Sequence, residues 1–158
     1  MDTSVTLIGL AITLLIVVPI ALILRSNITN TNKIKGIKKQ NSQNGHYAFE
    51  ETETSNKKIF SIDSKNKGLL FIDFSYKGKE TVYFADLKNI ILCNTIVTKE
   101  NNSRTISKVE IELVHKDSMK KETIPIYDIE NHFLDFNCLY EDHKFAVKWT
   151  NVISDSLV

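Results

Sequence analysis

The sequence predicts a mainly β domain closed by one C-terminal α-helix and preceded by an N-terminal transmembrane helix. Three observations carry that expectation. No residue from Val5 to Leu24 is charged; beyond Lys57 apolar residues recur at every second position; and from Phe136 they recur at helical spacing.

The first run, "VTLIGLAITLLIVVPIALIL", would as a helix rise about 1.5 Å per residue and match the roughly 30 Å hydrocarbon core of a bilayer. Its Leu, Ile and Val residues favour insertion over the small polar cost of Thr6 and Thr13, and Pro19 is tolerated in a membrane as a kink. A cleaved signal peptide fits less well, because "MDTS" carries Asp2 and no base, and "ALILRSN" offers no small-residue cleavage site. Residues 1–25 are therefore expected to be a transmembrane anchor. Arg25, Lys33, Lys35, Lys38 and Lys39 follow it with no acid among them. By the positive-inside rule the chain is then a single-pass inner-membrane protein, N-terminus outside and C-terminal domain in the cytoplasm, where Cys93 and Cys138 would be thiols.

Residues 26–57 are rich in Asn, Thr, Lys, Ser and Gln and poor in large apolar side chains, the composition of a flexible polar linker. Its juxtamembrane lysines either only fix topology, the plainer reading, or also contact anionic lipid.

The expected domain covers residues 58–158. "IFSID" alternates Phe60 and Ile62 with Ser61 and Asp63, "SKNKG" is turn chemistry, and "LLFIDF" resumes with Leu70, Ile72 and Phe74 on one side. "SYKGK" makes a second turn, and "ETVYFA" returns with Val82 and Phe84. "LKNIILCNTIV" supplies a fourth strand. In "SKVEIELVH" Val109, Ile111 and Leu113 alternate with Lys108, Glu110 and Glu112, one face toward a core and one toward water. Pro125 in "ETIPIY" cannot donate to a ladder, which assigns that strand to an edge or a bulge. Last, Phe136, Leu139, His143, Ala146, Trp149 and Ile153 share one helical face, with Glu141, Asp142, Lys144 and Lys148 on the other.

This order, with "KGLLFIDF", "VYFADLKNIILCN", "SKVEIELVHK" and the Trp-bearing "FAVKWTNVIS", resembles the pleckstrin-homology-like (PH-like) domains found behind transmembrane segments in bacteria. The resemblance spans Lys58 to Ser154 and implies a partly open antiparallel β-barrel or sandwich, two roughly orthogonal sheets with the helix closing one end. It also implies seven strands, of which the pattern places six.

The residues give no catalytic constellation. There is no G-x-S-x-G elbow and no phosphate loop among five scattered glycines. Asp63, Asp73 and Asp86 fall at strand ends, where acids serve turns more often than catalysis. His132, Cys138, His143 and Cys93 could supply four metal ligands but lack paired spacing, so no metal and no cofactor is expected. Fourteen basic residues against fifteen acidic ones between Lys58 and Val158 leave no basic excess for nucleic acid. The expected function is a membrane-tethered, non-enzymatic binding or scaffold protein, engaging a protein partner through an edge strand such as "ETIPIY". Two alternatives stand beside it. The domain could sense a lipid or small ligand through Lys65, Lys67, Lys77 and Lys79 in neighbouring turns; or the chain could be an exported pilin-like subunit, against which Gly9 and the absence of a basic leader weigh.

Overall fold

The computed structural model describes residues 12–13, 15–19, 31–75, 80–100, 105–130 and 136–157. The chain divides into two compact units, Met1–Gln40 and Asn41–Val158. Residues 12–13 and 15–19 are helical, and a helix α1 runs over residues 31–41, reaching the first residue of the second unit. Among the described residues no helix is long and apolar enough to cross a membrane. The transmembrane anchor, the integral single-span association with a membrane, and the inner-membrane localisation that followed from it are therefore not supported. A span needs about 20 consecutive apolar helical residues. Helix α1 is too short and carries Lys33, Lys35, Lys38 and Lys39, whereas most of the uncharged run on which the expectation rested lies outside the described residues. Within the expected linker, α1 and the strand Glu51–Ser55 are ordered elements.

The second unit holds seven strands and a long helix: β1 (Glu51–Ser55), β2 (Lys58–Asp63), β3 (Gly68–Asp73), β4 (Thr81–Asp86), β5 (Ile90–Lys99), β6 (Ile106–His115), β7 (Lys121–Asp128) and α2 (Phe136–Leu157). They form a four-stranded antiparallel meander, β1-β2-β3-β4, and a three-stranded one, β5-β6-β7. No barrel closes, which corrects the expected partly open barrel: among the described residues no ladder joins the two sheets. Side chains bridge them instead. Tyr83 on β4 donates to Glu122 on β7 at 2.5 Å, and Lys120 approaches the same carboxylate at 2.6 Å. The Lys120 and Tyr83 hydrogen bonds hold the Glu122 carboxyl down at about 2.

The strand the sequence pattern missed is β1. It has no apolar residue, and the turn after it, Asn56-Lys57, places both residues at positive φ (45° and 66°). Asn enters that region readily, but Lys gives no turn signal there.

The registers Phe60↔Phe71 and Ile62↔Leu69 put these four side chains on one face of the first sheet, all in the shared core with Val109, Ile111, Leu113, Ile124 and Trp149. Leu70 and Ile72, which the sequence pattern groups on one side, lie on the opposite face and are fully buried there, because β2 and β3 are covered on both sides. A continuous apolar run does not reveal which parity faces the core. On β4 the pair that marks the strand in the sequence behaves likewise: Val82 is exposed, Phe84 meets Tyr47 and Phe49 on the outer face, and Tyr83 and Ala85 turn to the core. The expected inward set of β6 is fully buried, and Pro125 lies at a register shift on the edge strand β7.

The outer face of the first sheet is covered in part by the segment 47–49. Its ring stack leaves no room for a Cβ at Gly68, which would meet the Tyr47 ring at under 3 Å. Asp63 pins the segment: its carboxylate accepts from the Ala48 N–H at 2.7 Å while capping the β2–β3 turn through Lys65 and Asn66. Burial pushes the Asp63 carboxyl up, but the hydrogen bonds from Ala48, Asn66 and Lys65 outweigh it and bring the group from 3.8 down to about 2.

Because the folded carboxyl titrates below its unfolded value, its stabilisation is complete above the ordinary carboxylate range and is lost as pH falls from 3.8 toward about 2. Asp63→Asn should cost on the order of 1–2 kcal/mol at neutral pH and flatten the acid limb of stability below pH 4, read by urea unfolding across pH. Lys57→Gly should stabilise by up to about 1 kcal/mol in the same assay, since glycine enters the left-handed region of the β1–β2 turn at no steric cost.

Candidate functional site

Helix α2 buries Asp142, Phe145, Ala146, Trp149 and Ile153. Trp149 stacks on Phe60 of β2 with ring centres 4.8 Å apart and 20° between planes, and Phe145 packs on both. The sequence places Trp149 against the sheet correctly but assigns Asp142 to the solvent face. Asp142 is instead wholly buried and takes the Lys58 ammonium at 2.8 Å, with Lys58 equally buried. The Asn56 amide donates to its other oxygen at 3.0 Å. So the turn that orders β1 also supplies a ligand to the buried charge. Further ties fix the rest of α2: Thr150 and Thr95 of β5 share a hydrogen bond at 2.7 Å, and the Lys67 ammonium reaches the Ser156 carbonyl at 2.5 Å, a cation on the negative end of the helix dipole.

Clamped in this way, α2 and β1 bound an open cleft of about 400 Å³, lined by Glu51, Thr52, Glu53, Lys148, Trp149 and Val152. Glu53 organises it. One carboxylate oxygen accepts from the Trp149 indole N–H at 3.0 Å, the other from Lys148 at 2.8 Å. The indole, its faces committed to packing, thus presents a fixed polar edge to the cleft, whereas Lys148 is 59% exposed and held by a surface ion pair. One wall is β1, the outermost strand of its sheet among the described residues, which pairs with β2.

Lys65 is exposed, Lys67 is spent on the end of α2, and Lys77 and Lys79 lie outside the described residues. Of the basic stretch before the domain, Arg25 also lies outside them; Lys33, Lys35 and Lys39 are exposed on α1, and burial holds the Lys38 ammonium below its ordinary value. The strand-end acids serve turns: Asp73 accepts from the Ser75 N–H at 2.7 Å, and Asp86 from the Lys88 N–H at 3.0 Å. Cys93 is a core residue whose thiol burial pushes up to about 12. Among the described residues no group of three His, Cys, Asp or Glu is placed to hold a metal ion; His132 lies outside them.

Sequence reasoning missed the cleft because one of its walls, β1, was misread. Glu51 and Glu53 fell in the polar stretch before the domain, and the only signal was the alternation of Thr52 and Thr54, β-branched residues suited to a strand. No family model, curated protein or solved structure matches this chain.

Removing one member of the buried pair should be far more costly than removing both. Lys58→Met or Asp142→Leu alone should destabilise by about 3–5 kcal/mol, and the double change should recover most of that loss, because only the single changes leave one charge of the pair buried without its partner charge. Chemical denaturation of the three variants checks this; single changes costing under about 1 kcal/mol would contradict it.

Proposed function

We propose that this chain is a non-enzymatic binding module, and that the cleft between β1 and α2 is the surface that takes a segment of a protein partner. The observation that carries the reading is the pairing, in one cleft, of a sheet edge bearing acidic side chains with a helix rigidly held beside it, so that main-chain and side-chain contacts are offered together. The order of four antiparallel strands, three antiparallel strands and a terminal helix supports the resemblance to PH-like binding domains; the proposal extends neither to a barrel nor to a membrane span. Commitment of Asp63, Asp73 and Asp86 to turn N–H groups, and burial of Cys93, favour binding over catalysis. The β1 edge suits a partner better than β7: Glu122 there is occupied by Lys120 and Tyr83, and Ile124, Ile126 and Tyr127 are buried.

Selection of a displayed random peptide library on the full chain tests this. The expected result is an enriched sequence whose binding changes the fluorescence of Trp149, the single tryptophan, and weakens at least tenfold in Glu51→Lys/Glu53→Lys. Enrichment of nothing, or binding indifferent to that double change, would overturn the reading.

A further inference from the structure

The β1 edge carries enough detail to specify what would lie along it. Glu51 is opposite Ile62 and Glu53 opposite Phe60, both core-facing residues, so these two acids project on the α2 side; Thr52, opposite Ser61, and Thr54, opposite Ile59, project on the other. The strand is therefore acidic on one face and β-branched on the other, over five residues or about 17 Å. A strand added to its outer edge would bring its own alternate side chains to within about 5 Å of Glu51 and Glu53. We infer that the occupant of the cleft is an extended segment of another polypeptide with Lys or Arg at every second position and β-branched residues between, added as a fifth strand beside β1. This rests on the binding reading above and names the chemistry of the partner.

Charge complementarity selects that occupant over a second copy of this chain. In the antiparallel register that pairs all five residues of two β1 strands, Glu53 would face Glu53, a like-charge pair that destabilises the sheet. Lys148 shows the contact in miniature: it reaches from α2 to Glu53 at 2.8 Å with 59% of its side chain in solvent. An arriving cation would take its place on that carboxylate oxygen, while the Trp149 N–H keeps hold of the other. Lys148 is thus a competitor that the partner displaces.

The experiment uses the full chain and three eight-residue peptides: Lys alternating with Thr, Glu alternating with Thr, and four Lys followed by four Thr. Binding is followed by Trp149 fluorescence, and protection by residue-resolved amide exchange. The alternating Lys peptide should bind at least tenfold more tightly than either of the others and slow exchange of β1 amides at least tenfold. Glu51→Lys should abolish its binding, and Lys148→Gln should tighten it roughly threefold, the scale of a surface ion pair. Equal binding of the alternating and blocked Lys peptides, or β1 exchange unchanged on saturation, would overturn strand addition. If a library-selected peptide still perturbs Trp149 with β1 exchange unchanged, the cleft remains the binding surface and only strand addition fails; if no peptide perturbs Trp149, both fail.

Discussion

A lysine and an aspartate, both sealed from water, decide where α2 lies. Withdrawing either charge from solvent is expensive, and close contact with the other offsets that cost only if the geometry is kept. Lys58 opens β2 and Asp142 lies in the second turn of α2, 84 residues apart in sequence. Their contact therefore fixes an angle and a register between helix and sheet that apolar packing alone would leave freer to slide. Asn56 completes the arrangement from the β1–β2 turn, so the position of β1 depends on the same charge. Burial, and then the charge of Asp142, push the titration of the Tyr127 hydroxyl up.

From that constraint the cleft follows. Once α2 is set, Trp149 stacks on Phe60 and its N–H has a single direction in which to find an acceptor, which Glu53 fills. The cleft is thus the space left between a helix held by a buried charge and a sheet whose last strand is short and polar. Short, charged edge strands resist uncontrolled pairing. On the proposed reading, an acidic edge of this kind would select a partner able to neutralise it, turning a protective device into a selective one.

Much of the domain was legible because its strands obey simple periods. Val109, Ile111 and Leu113 alternate cleanly, Pro125 marks an edge, and Trp149 belongs to a helical stripe; each signal reflects one buried face against one wet one. Legibility failed where burial departs from that scheme. Leu70 and Ile72 are buried away from the shared core, so parity carried no information; Lys58 and Asp142 are charges with no exposed side, and a solvent face was the natural assignment for the acid. The strand Glu51–Ser55 lacked the apolar residues by which strands are recognised, and the uncharged N-terminal run was read by its length and apolar composition, criteria that no described helix meets. The cleft was invisible for the same reasons, since it is built from the misread strand and secured by the misread acid.

The dependence of the cleft on one buried charge is open to direct measurement. Residue-resolved amide exchange on the folded full chain, compared with Asp142→Asn, should show protection lost together in β1 and the first turns of α2, with β6 as well protected as before. Unchanged protection of β1 in the variant would show that the strand holds its place without the aspartate's charge, and the account would be wrong at its root.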